Sequence, residues 1–212
     1  MNNPAKRLRV LIADDHPVMR DGLRAAIESA GDMDVVGEAG DGAQALTRFR
    51  ELEPDVTLLD IQMPQVDGLQ AIAAIRAEFA SARIVVLTTY PGDARAKRAL
   101  ALGAIAYLLK SSTRDEILDA IRRAASGRRA MTAEVASDVA LHACSEMLTP
   151  RELAVLALVA TGHSNKEIAE RLSVSDDTVK ARLQNVMAKL GASDRTHAVT
   201  LATRRGFLDP PV

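Results

Sequence analysis

Five short apolar runs, separated by longer amphipathic segments, constrain this chain more than any other feature. The runs are RVLIA at 9–13, DVVGEA at 34–39, DVTLLD at 55–60, RIVVLT at 83–88 and AYLLK at 106–110. Helix-patterned stretches lie near 17–30, 42–51, 68–79, 93–102 and 114–126. Apolar strands alternating with helices are the pattern of βα units around a parallel sheet. The second run is the most polar and suits an edge strand. Gly31 and Gly127 directly follow two of the helices, as C-terminal caps do. Hydrophobic residues make up 48% of the chain and aromatics only 2%, so the core must be aliphatic.

After residue 127 the rhythm changes. Residues 128–146 open with GRRAMT and continue in a short Ala/Val pattern that suits a linker helix. From Leu148 onward four helical signatures follow one another. Thr149, Pro150 and Glu152 form a capping box with proline at the first helical position, and Ser164 with Glu167 repeats the box. Ser175 caps the third helix and Gly191 ends it. The second and third helices are separated only by SVS, and Ile168, Ala169, Leu172, Val174 and Val179 would face inward. Two short helices joined so tightly read as a helix-turn-helix. Charge divides along the same line: 16 basic against 18 acidic residues over 1–127, net −2, and 9 against 7 over 147–212, net +2. The expected organisation is therefore 1–127, a linker at 128–146, and a mildly basic all-α domain at 147–212.

Right-handed crossovers bring the carboxyl ends of parallel strands to one edge of the sheet. At that edge the runs end in Asp14 and Asp15, in Asp60, in Thr88 and in Lys110. An open α/β sheet binds ligands where strand order reverses, between strands one and three in the order 2-1-3-4-5. The aspartates fall on those two strands. Unit charges about 4 Å apart repel by roughly 4 kcal/mol at an effective dielectric near 20, so three clustered carboxylates need an offset. A hard divalent cation such as Mg2+ supplies one, since it takes oxygen ligands and keeps several waters. A raised pKa on one aspartate is the alternative. Aspartates that only cap neighbouring helices are a third reading.

Taken together, ADDHP, LLDIQMPQVDG, VVLTTY and AYLLK resemble the receiver domain of two-component response regulators, and with the C-terminal part the resemblance extends over almost the whole chain, most closely to the NarL/FixJ type. It implies a flavodoxin-like, doubly wound five-stranded parallel sheet followed by a four-helix LuxR-type helix-turn-helix domain. By that resemblance Asp60 is the phosphoacceptor. Asp14, Asp15, Asp60 and the main-chain carbonyl of Gln62 hold Mg2+, and Lys110 sets a point charge against the acyl phosphate. Thr88 donates its hydroxyl to a phosphoryl oxygen, with Thr89 the alternative donor, and Tyr107 turns from exposed to buried with it, unless it is simple packing. Pro64 shapes a loop, and Gly68 answers a backbone requirement. His16 belongs to the start of the first helix rather than to the metal.

The recognition helix implied is 176–190, with Lys180, Arg182, Gln184, Asn185 and Lys189 as its polar residues available to DNA. By family position Lys180, Ala181 and Gln184 meet the groove, where glutamine can read an adenine edge. Asp176 and Asp177 depart from the family pattern: they suit the helix dipole but oppose phosphates. With net +2, one module binds weakly, so a homodimer on paired half-sites is expected, with Ala198, Val199, Leu201 and Ala202 of the last helix at its contact. The partners implied are a sensor histidine kinase and double-stranded DNA, and the protein acts as a regulator rather than an enzyme.

Other classes fit less well. A single cysteine, Cys144, excludes an internal disulfide and a multi-thiolate metal site and suits a reducing compartment. The basic N-terminus is followed by too short an apolar stretch for a signal core or a membrane span, which reads as cytoplasmic. His142, His163 and His197 form no ligand spacing, and neither a Gly-rich phosphate loop nor a G-x-S-x-G elbow occurs. A Mg2+-dependent phosphatase would share the carboxylate nucleophile but lacks a second acid beside Asp60, where Gln62 stands. A small-molecule-sensing regulator has no use for three aspartates. A DNA-binding regulator that works without phosphorylation is the closest alternative.

Overall fold

A computed structural model describes residues 7–89, 93–128, 130–131, 137 and 147–208. The chain divides into two compact units, Met1–Thr89 with Ala96–Ala136 and Tyr90–Arg95 with Ser137–Val212.

The sheet comprises β1 (Leu8–Ala13), β2 (Met33–Ala39), β3 (Val56–Leu59), β4 (Ile84–Thr88), β5 (Ala106–Leu109) and β6 (Ala130–Met131). Its order is β2-β1-β3-β4-β5-β6, with every pair parallel. The five expected strands stand in the expected order. The sixth, only two residues long, extends the far edge from within the stretch read as linker, because two residues carry no periodicity to recognise. Every residue of β3, β4 and β5 is buried, whereas β2 at the edge buries only its two ends. That contrast is why the second run reads as polar.

Helices α1 (Pro17–Glu28), α2 (Gly42–Leu52), α3 (Gly68–Glu78), α4 (Asp93–Ala101) and α5 (Arg114–Ala125) connect the strands. Val10, Ile12, Leu58, Val85, Leu87 and Leu108 pack on one face of the sheet against Leu23 and Ile27 of α1 and Ile117, Leu118 and Ile121 of α5. Each such aliphatic side chain contributes about 1.5–3 kcal/mol of transfer free energy when fully buried. Local signals start these helices where the strands end: Asp41 caps α2, Asp67 caps α3, and Thr113 with Glu116 forms a capping box on α5.

The second unit holds α6 (Pro150–Ala160), α7 (Asn165–Leu172), α8 (Asp176–Leu190) and α9 (Arg195–Arg204). Both expected capping boxes form, Ser175 caps α8, and Gly191 closes it in the left-handed region at φ 67°. Val155, Val159, Ile168, Ala169, Val179 and Leu183 make one core cluster, with Leu172 and Val174 against it. Leu148, Leu156, Val186, Leu190, Ala198 and Ala202 make another. This corrects two of the four residues expected at the dimer contact of the last helix. Ala198 and Ala202 are fully buried inside their own domain, and Val199 and Leu201 are the two that stay partly exposed. The proposed linker helix lies outside the described residues. Among the described residues no helix is long and apolar enough to cross a membrane.

Candidate functional site

Asp14, Asp60 and Lys110 each occupy the position immediately after a strand, so the sheet's own hydrogen bonds fix where they point. The Asp14 amide donates to the Ala39 carbonyl at 3.1 Å, the Asp60 amide to Ala13 at 2.8 Å and the Lys110 amide to Thr88 at 2.7 Å. Because β3 and β4 separate β1 from β5, the lysine reaches the two acids from across the crevice. Its Nζ lies 2.7 Å from Asp14 Oδ2 and 2.8 Å from Asp60 Oδ2. The lysine side chain is 10% exposed and both carboxylates 2%.

One ammonium faces two buried carboxylates here, and Asp15 adds a third acid nearby. One oxygen or nitrogen from each of Asp14, Asp15, His16 and Asp60 falls within 4.8 Å of the others. Burial pushes the Asp60 carboxyl above the usual aspartate range, and hydrogen bonding and charge from Lys110 offset it only in part. Burial alone would lower the Lys110 ammonium, but the hydrogen bonds and charges of Asp14 and Asp60 outweigh it and raise it. The site is thus short of positive charge, and its donors are mainly hard carboxylate oxygens, which fits Mg2+. His16 is the N-cap of α1, as expected, and its amide donates to Asp14 Oδ1 at 2.9 Å. Its exposed ring lies 2.7 Å from Asp15 Oδ1, a proximity that sequence reasoning missed.

The loop after β3 is held close to the acid. The Gln62 amide donates to Asp60 Oδ1 at 3.2 Å, and the Gly68 amide to the Ile61 carbonyl at 2.8 Å. A Cβ on Gly68 would overlap the Asp60 carbonyl oxygen and Ile61 Cα, which is why glycine stands there. Pro64 sits in the turn beside Gln65, whose φ is 63°. Thr88 ends β4 and Tyr107 lies within β5 paired to it, both fully buried, while Thr89 is exposed.

On α8 the residues Asp177, Lys180, Ala181, Gln184, Asn185 and Ala188 are exposed. Their three- and four-residue spacing makes one continuous stripe along the helix. Arg182 is half-buried beside it. Lys189 does not join the stripe. Its Nζ lies 3.0 Å from the buried Glu152 carboxylate and also donates to the Met147 carbonyl, so the availability to DNA expected of it is corrected. Lys180 pairs with the departures at the helix start, 2.6 Å from Asp176 and 3.4 Å from Asp177.

Comparison with known proteins joins these two arrangements. Residues 10–122 match the response regulator receiver domain, and residues 146–202 match the bacterial regulatory proteins of the luxR family. The chain is a two-component response regulator. This regulator is 41% identical over 210 residues to the transcriptional regulatory protein LiaR of Bacillus subtilis (strain 168), covering 95% of this chain and 100% of that one. It is 39% identical over 216 residues to the probable transcriptional regulatory protein NarL of Mycobacterium tuberculosis (strain CDC 1551 / Oshkosh), covering 99% and 100%. Among solved structures, RcsB from Salmonella enterica serovar Typhimurium, bound to a promoter in the presence of a phosphomimetic, superposes with a TM-score of 0.73 at 28% identity. That match covers 93% of this chain and 98% of that one. The relatives are transcriptional regulators, and this response regulator combines a receiver with a LuxR-type DNA-binding domain.

Proposed function

We propose that this regulator receives a phosphoryl group on Asp60 from a sensor histidine kinase and thereby changes how its LuxR-type domain engages DNA. The observation that carries this reading is the buried Asp60 carboxylate facing Lys110 at 2.8 Å at the end of β3. An Asp60 oxygen attacks phosphorus, the bond to the donor nitrogen breaks, and its electron pair stays with the donor imidazole, which takes a proton. Lys110 stabilises charge on the acyl phosphate formed. Asp14, Asp15, Asp60 and the Gln62 carbonyl would hold Mg2+, which supplies further charge neutralisation at the phosphoryl oxygens.

Thr88 is the hydroxyl donor that reads the phosphoryl group, and the buried Tyr107 is the position its partner in the switch would take. On the DNA side Lys180, Ala181, Gln184 and Asn185 form the contact stripe, with Arg182 at its margin. Receiver, linker and DNA-binding domain are assigned to 1–127, 128–146 and 147–212. The regulator works in the cytoplasm and binds paired half-sites of double-stranded DNA as a homodimer, its signal stored on its own aspartate rather than spent in enzymatic turnover.

Intact-mass spectrometry after incubation with acetyl phosphate and MgCl2 tests the first step. One added phosphoryl group is expected on the wild type and none on Asp60→Asn. Equal DNA affinity of phosphorylated and unphosphorylated protein at one salt concentration would refute the switch and favour phosphorylation-independent DNA binding.

A further inference from the structure

Asp15 is the most exposed of the three acids, and nothing in the strand ladder orients it, since the parallel pairing of β1 ends at Ala13. What fixes it must act on the turn between β1 and α1. The Ala13 carbonyl is taken by the Asp60 amide and the Asp14 amide is tied to Ala39, but the Asp14 carbonyl lies beyond the last strand pairing. Arg20 reaches that carbonyl, Nη1 donating at 2.6 Å. The geometry is a consequence of helix direction: side chains lean toward a helix's N-terminus, so an arginine one turn into α1 returns over the end of β1.

We propose that Arg20 is a positioning residue for the acid pair, holding the Asp14–Asp15 peptide so that Asp15 faces the cation site. This rests on the reading of Asp14, Asp15 and Asp60 as Mg2+ ligands. The Asp14 carbonyl and the Asp15 amide belong to one rigid plane, so a hydrogen bond to the first sets the orientation of the second and with it the direction of the Asp15 N–Cα bond, leaving φ as the one backbone rotation that places Cβ. A single contact to a mobile arginine would do little. This one is anchored: Arg20 Nε donates to Glu38 Oε2 at 3.0 Å, and the other oxygen of Glu38 accepts from Arg24 Nε at 2.8 Å. Glu38 stands in register with Ile12 on the neighbouring strand, so the fork is referenced to the sheet that carries Asp14.

The arrangement is partly shielded, with the Arg20 side chain 20% exposed. Burial opposes ionisation of Glu38, yet hydrogen bonds from Arg24 and Arg20 outweigh it and hold the carboxyl below its ordinary range. Bridging a carbonyl and a carboxylate from one plane is a task for guanidinium, not for an ammonium, which offers a point charge without the fork. Supports of this kind behind a metal ligand typically change metal affinity 10- to 100-fold when removed.

A purely structural clamp between α1 and β2 would leave the same contacts, and Arg24 separates the two ideas. It shares Glu38 with Arg20 but is tied otherwise to Glu28, not to Asp14. The test is isothermal titration of the full-length chain with MgCl2, with thermal melting alongside, for wild type, Arg20→Gln, Arg20→Lys and Arg24→Gln. Arg20→Gln is expected to weaken Mg2+ about tenfold, Arg20→Lys by a smaller factor, and Arg24→Gln by less than twofold despite a comparable drop in Tm. Equal Mg2+ affinity in Arg20→Gln and wild type would overturn the inference, as would an equal loss in Arg24→Gln. Should Arg20→Gln not fold, Arg20→Lys against Arg24→Gln decides by the same rule. A wild type that binds no Mg2+ would overturn the metal reading and this inference with it.

Discussion

Two shielded lysines, one in each unit, show how the same pairing serves different ends. In the receiver, Lys110 meets two carboxylates within 2.8 Å and a third stands nearby, and burial pushes Asp60 up by more than Lys110 offsets. In the DNA-binding domain, Lys189 meets the Glu152 carboxylate, which also accepts from the Thr149 amide at 2.7 Å and the Thr149 hydroxyl at 2.9 Å. Burial opposes ionisation of Glu152 too, but the Thr149 amide and Lys189 outweigh it and pull the carboxyl below the usual glutamate range. A satisfied carboxylate locks helices together. An unsatisfied one is ready for a cation or a phosphoryl group.

The sharpest way to break this comparison is Lys110→Met. Removing one partner of a buried charge group leaves the others uncompensated, so the metal-free receiver should lose about 3–5 kcal/mol in urea unfolding, with part recovered on adding MgCl2. Loss without any recovery would count against a cation site. Glu152→Gln comes next, at about 1–2 kcal/mol on the DNA-binding domain, the scale of a lost cap with a charge-assisted bond. Because Glu152 is depressed when folded, its contribution is present above the ordinary glutamate value and is lost as pH falls through the depressed one. The gap between variant and wild type should therefore close under acid, and a gap that persists there would mean the effect is packing.

Asp60→Asn should move stability the other way. Asp60 is raised when folded, so its ionisation destabilises the fold as pH climbs from the ordinary aspartate range through the raised value. At neutral pH without metal the variant should melt a few degrees higher, the scale of about 1 kcal/mol in a domain of this size. The difference should vanish in strong acid and shrink with MgCl2, which helps the wild type more because the variant has lost one of the three carboxylates. The smallest effect is expected on α8, where Lys180 already pairs with Asp176 and Asp177. Asp176→Asn with Asp177→Asn should tighten DNA severalfold and steepen the dependence of log K on log salt, since Lys180 becomes free to release a counterion. An unchanged slope would place Lys180 off the phosphates.

The five main strands, their order and both capping boxes of the second unit were legible in the chain itself, because strand burial, helix caps and turns are local and leave periodic or short-range marks. The same holds for Asp14, Asp15, Asp60 and Lys110, since a polar residue closing an apolar run declares which edge of a parallel sheet it reaches. Other features needed the tertiary structure. Lys189 looks like one more basic residue of a recognition helix until α6 brings Glu152 beside it, 37 positions away in sequence. Ala198 and Ala202 look like a free small-residue face until α6 and α8 cover them. Arg20 carries no motif, and its reach to the Asp14 carbonyl depends on the angle at which α1 leaves β1 and on Glu38 of the adjoining strand. Sequence by itself determined which elements form and which chemistry gathers at their ends, because those are matters of period and residue type. Only the packed structure decided which charges find partners, because that depends on distances between segments remote along the chain.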